Sequence, residues 1–92
     1  MNTTDPSALD PRRRRLLYRA THRGTHEADL LIGGFVAPRI WRFSEEELVE
    51  LEGVLELPDP QLANWLTGRE PIPEAAESAL LRRMRDAADD HA

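Results

Sequence analysis

The sequence contains no cysteine and no lysine, and its apolar runs are short. Without cysteine there is no disulfide framework, no thiolate nucleophile and no thiolate metal ligand, so several classes of enzyme are excluded. The longest apolar stretch, residues 30–37, covers about eight residues, whereas a helix that crosses a bilayer needs roughly 20. The sequence therefore predicts a protein that does not insert into a membrane.

The N-terminal segment lacks the features of a targeting signal. Residues 1–11 contain Asp5 and Asp10 and no apolar core, which fits neither a secretory signal peptide nor an acid-poor transit peptide. A cytoplasmic location is the resulting expectation. Because residues 1–9 are polar and show no periodicity, we expect them to form a flexible N-terminus, and we expect residues 89–92 to form a flexible tail.

The composition is that of one folded domain. With 92 residues, 40% of them apolar and 32% charged, the chain has room for one modest core. The net charge of −5 is unevenly distributed, because residues 1–26 carry six Arg and two Asp while the remainder carries six Arg and fifteen acidic residues. This asymmetry indicates that the two parts of the chain face different partners or solvent.

Two helices are predicted in the first half of the domain, which we place at residues 10–88. Asp10 is a suitable N-cap and Pro11 suits a first helical turn, so the first helix starts there. Gly24 is suited to end this helix, and Thr25 can cap a second one. The second helix continues to about Ala37, and two adjacent glycines weaken it locally.

Three further helices follow. Ser44 and Glu47 have the spacing of a capping box and start the third helix, and Asp59 followed by Pro60 resembles a cap and first turn for the fourth. Residues 76–87 keep a 3.6-residue apolar rhythm, which predicts the fifth. No segment alternates with period two over the length of a strand. The predicted fold class is therefore all-α, a single compact bundle of about five short helices.

Two constellations of residues suggest chemistry, and neither favours an enzyme. His22 and His26 stand four residues apart with Glu27 next to them, which resembles a zinc-binding pair, but Gly24 interrupts the helix that would align them. Surface histidines are therefore the favoured interpretation. A Ser-His-Asp set is available from the composition, but no strand-turn-helix nucleophile elbow accompanies it. We predict a protein without catalytic activity and without a metal site.

The basic run from Arg12 to Arg15 allows two interpretations. Clustered guanidinium groups bind phosphate, so a nucleic-acid interface is one candidate. The acidic net charge, the carboxylates of the third and fifth helices and the small number of aromatic residues argue against it. An acidic protein surface is the other candidate, since basic residues in the first turn of a helix oppose the helix dipole and do not serve stability.

The segment from Arg23 to Glu27 is a predicted corner between two helices. A glycine turn with a threonine cap explains the residues structurally, and it would leave Arg23 and Glu27 close together at the surface. An exposed pair of this kind contributes only about 0–1 kcal/mol to stability, so it leaves a role in binding open. At this point the residues alone do not decide between a structural corner and a binding site.

Here the sequence resembles the family of small five-helix proteins that promote covalent flavin attachment to succinate dehydrogenase. The family signature Arg-Gly-x-x-Glu is matched by Arg23, Gly24 and Glu27. The resemblance extends over about residues 12–84, through Leu16-Leu17-Tyr18, Glu27-x-Asp29-Leu30-Leu31, Phe35 and Leu57-Pro58-Asp59-Pro60-x-Leu62-x-x-Trp65-Leu66. Ala28 departs from the larger apolar residue expected between Glu27 and Asp29.

The resemblance implies an assembly factor in the bacterial cytoplasm, a monomer without a stably bound cofactor. Its partner would be the flavoprotein subunit of succinate dehydrogenase, with fumarate reductase open as a second client, and the FAD would belong to the client, attached to a client histidine. The implied partner-binding residues are Arg15, Arg19, Arg23, Gly24, Glu27 and Asp29. The alternative function is a nucleic-acid-binding or regulatory protein-interaction module that uses the Arg-rich first helix.

Overall fold

The computed structural model of the chain describes residues 8–89. Most of the predicted flexible N-terminus and most of the predicted tail, residues 1–7 and 90–92, lie outside the described residues. Leu9, the last residue of the predicted N-terminal segment, is buried against the core. The packed domain therefore includes Leu9, one residue before the predicted domain boundary.

The described part of the chain is helical. Helix α1 is Pro11–Thr21, α3 is Glu45–Leu55, α4 is Asp59–Leu66 and α5 is Ala79–Asp89. Helix α2 consists of three contiguous segments, α-helical His26–Ala28, π-helical Asp29–Gly33 and α-helical Gly34–Val36. Short 3-10 turns at Ile40–Arg42 and Glu74–Ala76 precede α3 and α5, and residues 8–89 contain no strand. The predicted all-α bundle of five helices is confirmed.

The predicted helix starts of α1 and α3 are confirmed by their capping bonds. The Asp10 carboxylate accepts a hydrogen bond from the Arg13 backbone N–H at 3.2 Å. At α3, Ser44 Oγ accepts from the Glu47 backbone N–H at 3.2 Å, and the Glu47 carboxylate accepts from the Ser44 N–H at 2.8 Å. Backbone donors that have no partner within their own helix are thereby satisfied at both starts.

The middle of α2 is wound more widely than an α-helix, at the place where it packs on α1. A Cβ added to Gly33 would lie 2.9 Å from both the Ala20 carbonyl oxygen and the Thr21 Cγ2 atom, so only glycine allows this approach. Around Gly34 there is open space instead. Of the two glycines that weaken this helix, only the first is required by packing.

Two predicted helix boundaries are wrong. Asp59 is not the N-cap of α4, because the helix already starts at this residue with Pro58 as its cap, and the Asp59 carboxylate is engaged elsewhere. Ala76 does not belong to α5, because it lies in a 3-10 turn. The helix starts after Ser78, whose Oγ accepts a hydrogen bond from the Leu81 N–H at 3.1 Å.

One hydrophobic core holds the five helices together. Among residues 8–89, nineteen hydrophobic residues are buried, and every helix contributes to them. Trp65 is 8% exposed and belongs to this core, while Trp41 is partly buried at its edge. Within residues 8–89, no helix is both long and apolar enough to cross a membrane.

Candidate functional site

The corner between α1 and α2 is formed by an exposed glycine. Gly24 has a φ of +107°, a conformation that side chains disfavour, and no heavy atom lies within 4 Å of the position where its Cβ would stand. Thr25 Oγ1 accepts a hydrogen bond from the Ala28 N–H at 3.1 Å and so starts α2 as predicted. The backbone at the corner is therefore open to an approaching surface.

The Arg23 side chain points into the protein, away from this open surface. Its Nε and Nη2 donate to one oxygen of Asp59 at 2.9 and 2.7 Å. Nη1 donates to the Leu55 carbonyl at 2.9 Å, and Nη2 also donates to the Leu57 carbonyl at 3.1 Å. Only 11% of the side chain is exposed. The predicted surface pair of Arg23 with Glu27 is wrong, because carbonyls at the end of α3 and a carboxylate at the start of α4 bind the guanidinium instead.

Asp29 fixes the other side of the corner. Its carboxylate accepts a hydrogen bond from the Arg23 backbone N–H at 2.6 Å. Arg23 thus binds α2 through its backbone N–H and the junction of α3 with α4 through its side chain. Since hydrogen bonds to charged groups are stronger than neutral ones, these contacts hold the Gly24 backbone in a defined position. We call the contacts of Arg23 with Asp29, Leu55, Leu57 and Asp59 the corner clamp.

Glu27 lies on the outside of the corner. Its carboxylate is 3.7 Å from Nη2 of Arg69, and half of its side chain is exposed. A long ion pair between exposed groups is worth at most about 1 kcal/mol, so Glu27 remains available to a partner. The three signature residues therefore differ in placement, with Gly24 and Glu27 outside and the Arg23 side chain inside.

Most arginines of α1 are bound within the protein itself. Arg12 donates to Glu45 and Glu52 of α3 at 2.7 Å each, and this contact lowers the pKa of Glu52. Arg13 donates to the carbonyls of Ile40 and Phe43 at 3.0 and 2.6 Å. An acidic protein surface was one of two candidates for binding the Arg12 to Arg15 run, and for Arg12 that surface is helix α3 of the same chain.

The other three arginines of α1 differ in whether they bind a partner within the described residues. Arg19 donates to Glu56 at 2.8 Å, in an exposed pair. Arg14 and Arg15 are exposed, and neither forms an ion pair or a side-chain hydrogen bond with any residue in the range 8–89. Helix α1 thus carries its unneutralised positive charge at these two side chains.

The exposed face of α1 also carries an aromatic stack that sequence reasoning missed. Tyr18 is 63% exposed, and its ring lies 3.9 Å from the His22 ring at an angle of 14°. The Nδ1 atom of His22 is 2.9 Å from the Tyr18 carbonyl oxygen, which can accept a hydrogen bond from a protonated Nδ1. The i, i+4 spacing of the two residues was the available signal. In residues 8–89, no group of three or more His, Cys, Asp or Glu is placed to hold a metal ion.

An apolar groove lies on the α2 side of the corner. Its volume is about 380 Å³, and Leu30, Leu31, Phe35 and Met84 line it between α2 and α5. Leu30 is 60% exposed at its edge, and the Arg39 guanidinium lies 4.2 Å from the centre of the Phe35 ring. The corner is thus flanked by an apolar groove on α2 and a basic, aromatic face on α1.

Comparison with known proteins identifies the family to which the sequence is similar. The family model described as the flavinator of succinate dehydrogenase matches residues 14–88. An FAD assembly factor, SdhE, of Acetobacter pasteurianus is 54% identical over 76 residues, which are 83% of this chain and 70% of that protein. No solved structure matches the chain significantly.

Mitochondrial proteins named succinate dehydrogenase assembly factor 2 are similar over a smaller share of their length. The one from Dictyostelium discoideum is 34% identical over 79 residues, 86% of this chain and 56% of that protein. The one from Saccharomyces cerevisiae is 36% identical over 88 residues, 91% of this chain and 53% of that protein. The chain spans about half the length of these two relatives.

Proposed function

This chain belongs to the family of succinate dehydrogenase flavinators, and on that premise we propose that it is an assembly factor for the flavoprotein subunit of that enzyme. It binds the subunit and promotes the covalent attachment of FAD to a histidine of the subunit. The names of its relatives, an FAD assembly factor and succinate dehydrogenase assembly factors, support this proposal. The matched segment, residues 14–88, contains the whole corner between α1 and α2.

The observation that supports a binding role most strongly is the rigid, open glycine corner. The Gly24 backbone is exposed and has no neighbour within 4 Å of its missing Cβ, while the corner clamp holds it from beneath. A surface that is already ordered loses little conformational entropy when it binds, so more of the contact energy appears as affinity. In this proposal the partner packs directly on the Gly24 backbone.

Each signature residue then has its own task. Gly24 allows close approach, and Glu27 offers a carboxylate to donors of the client. Arg23 and Asp29 are positioning residues, because their hydrogen bonds to each other and to the α3–α4 junction hold the corner in shape. Arg19 lies beside the corner with its charge partly neutralised by Glu56.

The chemistry of bond formation belongs to the client and its flavin. We expect no cofactor to be stably bound by this chain and no catalysis by its own side chains. Binding favours the client conformation in which the FAD and its target histidine are positioned for attachment, which is a shift between pre-existing states. Such a shift is limited by the difference in affinity for the two states, so the chain must bind the attachment-competent state more tightly.

The proposal also covers the cell compartment, the oligomeric state and the clients of the chain. We place the chain in the bacterial cytoplasm, as a monomer that meets the flavoprotein subunit before the subunit joins the rest of the complex. The flavoprotein subunit of fumarate reductase is a second client to be tested. No nucleic acid takes part, since half of the Arg12 to Arg15 run is bound within the protein.

The proposal is tested by measuring complex formation with purified flavoprotein subunit before and after covalent flavin attachment. We expect a one-to-one complex with the subunit that lacks covalent flavin, and weaker binding to the mature subunit. A Gly24→Leu variant should lose the complex while circular dichroism shows that its helicity is retained. Equal binding to both forms of the subunit would contradict the proposed mechanism, and no binding to either would contradict the proposed function.

A further inference from the structure

The exposed face of α1 carries two arginines, Arg14 and Arg15, that form no ion pair within residues 8–89. Of the six arginines in residues 12–23, four donate to acidic side chains or to backbone carbonyls. Arg14 and Arg15 do neither within residues 8–89. Both lie near the N-terminus of α1, which has no acidic residue in its first turn, so the helix dipole disfavours them.

An exposed aromatic side chain lies beside these charges. Arg14, Arg15, Tyr18 and Arg19 line a shallow depression of about 440 Å³ on the outer side of α1. Tyr18 is 63% exposed, and its ring stacks on the ring of His22. An exposed tyrosine next to arginine is the composition typical of the energetically dominant part of protein interfaces.

We propose that the face formed by Arg14, Arg15 and Tyr18 is a second docking surface, which binds an acidic segment of the flavoprotein subunit. It deepens the proposed function, on which it rests, by extending the interface from the corner along α1. In this arrangement carboxylates of the partner pair with the two arginines, and an apolar or aromatic side chain of the partner packs on the Tyr18 ring. The charges act mainly on the rate of association, and the ring acts on the lifetime of the complex.

Charge complementarity decides in favour of an acidic protein segment. The chain has a net charge of −5, and the carboxylates of Glu45 in α3 and of Glu56 just after it lie beside α1, where they pair with Arg12 and Arg19. A nucleic-acid backbone carries negative charge along its whole length. The part of the backbone beyond the two arginines would therefore be repelled by these carboxylates. A short acidic protein segment satisfies both arginines without that repulsion.

The test compares two double charge reversals in the full chain. Arg14→Glu with Arg15→Glu changes the proposed surface, and Arg82→Glu with Arg85→Glu makes the same change of net charge on α5. Association with the purified flavoprotein subunit lacking covalent flavin is measured at about 50 mM and about 300 mM salt. We expect the first double variant to associate about tenfold more slowly at low salt, with a smaller difference at high salt, and the control to stay within about twofold of wild type.

Tyr18→Ala provides an independent readout, because this exposed side chain contributes little to the fold. We expect faster dissociation of the complex by about fivefold or more with little change in the association rate. The inference is overturned if wild type binds and both double variants associate alike, or if a short single-stranded RNA binds through Arg14 and Arg15 instead. If wild type binds no flavoprotein subunit, the proposed function fails as well, so the two failures are distinguishable.

Discussion

Two glycine corners of this fold share a backbone conformation and differ in what surrounds it. Gly24 after α1 has a φ of +107° and Gly68 after α4 has a φ of +78°, and neither has a heavy atom within 4 Å of its missing Cβ. Arg23 before the first glycine is turned inward into the corner clamp, whereas Arg69 after the second extends outward. The comparison shows that glycine supplies both turns, and that only the turn at Gly24 has a largely buried arginine beside it.

Burial separates the two arginines energetically. The side chains of Arg23 and Asp59 are 11% and 23% exposed, while those of Arg69 and Glu27 are 59% and 50% exposed. Removal of one partner from a largely buried pair leaves an uncompensated charge, which costs several kcal/mol, whereas an exposed pair is screened by water. The corner at Gly24 is therefore built as a fixed surface, and the corner at Gly68 as an ordinary helix end.

The largest effect is expected from removing the clamp. Arg23→Gln should lower the free energy of unfolding by about 3 kcal/mol, because it leaves the Asp59 carboxylate and two carbonyls without their donor. Urea denaturation followed by circular dichroism measures this change. Arg69→Gln is the matched control, with an expected change below about 1 kcal/mol. Equal losses from the two variants would remove the energetic distinction between the corners.

A smaller effect on stability, with a clear difference in binding, is expected from the glycines themselves. Gly24→Ala and Gly68→Ala should each cost about 1–2 kcal/mol, since both impose a positive φ on a residue with a Cβ. Only Gly24→Ala should weaken the complex with the flavoprotein subunit, as measured by calorimetry of binding. If the Gly68 variant weakened the complex equally, the loss would reflect stability, and the first corner would have no special role.

Glu27 should affect binding with little effect on stability. Glu27→Gln removes one exposed ion pair at 3.7 Å, so the free energy of unfolding should change by less than about 1 kcal/mol. The affinity for the flavoprotein subunit should nevertheless fall by about tenfold or more, because a carboxylate at the interface is lost. Glu46→Gln, an exposed change on α3, is the control and should bind normally. Unchanged affinity of the Glu27 variant would exclude this carboxylate from the interface.

The smallest expected effect is the loss of stability at acidic pH. Low pH protonates carboxylates that form ion pairs between helices, outside both corners. The pKa of Glu52 is lowered by its hydrogen bond with Arg12, and that of Glu47 by the Ser44 backbone N–H and then by Arg83. A carboxyl group whose pKa is lowered on folding stabilises the protein above its unfolded value, near 4.5, and loses this contribution as the pH falls through its folded value.

The melting temperature should accordingly be constant from neutral pH to about pH 5 and decrease below about pH 4.5. Glu52→Gln should show a shallower decrease, because one of the titrating contacts is already absent. Scanning calorimetry across this pH range measures both curves. A wild-type melting temperature that rose on acidification would contradict the assigned direction of the two pKa shifts.

Much of the fold could be predicted because its helix starts depend on neighbouring residues. The cap at Asp10, the capping box of Ser44 with Glu47 and the turn at Gly24 involve contacts within three residues, and all three are confirmed. The start of α4 was predicted one residue too late because the Asp59 carboxylate was interpreted as the N-cap of this helix. Its carboxylate binds Arg23, 36 residues away, and no local pattern contains that contact.

The candidate site was predictable by position but not by orientation. The glycine and glutamate of the signature lie outside, where the sequence suggested, because a turn residue and an acid in a first helical turn have a local reason to be exposed. The direction of the Arg23 side chain depends on the end of α3, and the engagement of Arg12 depends on carboxylates 33 and 40 residues away. Long side chains choose partners through tertiary packing, which spacing along the chain does not describe.

The most direct test of the central claim is the covalent flavin fluorescence of the succinate dehydrogenase flavoprotein subunit in a denaturing gel. Cells with and without this gene are compared at equal abundance of the subunit, and the deletion is complemented with wild type or with Glu27→Ala. We predict that the fluorescent band is lost on deletion and restored by wild type but not by the variant. An undiminished band in cells without the gene would contradict the account.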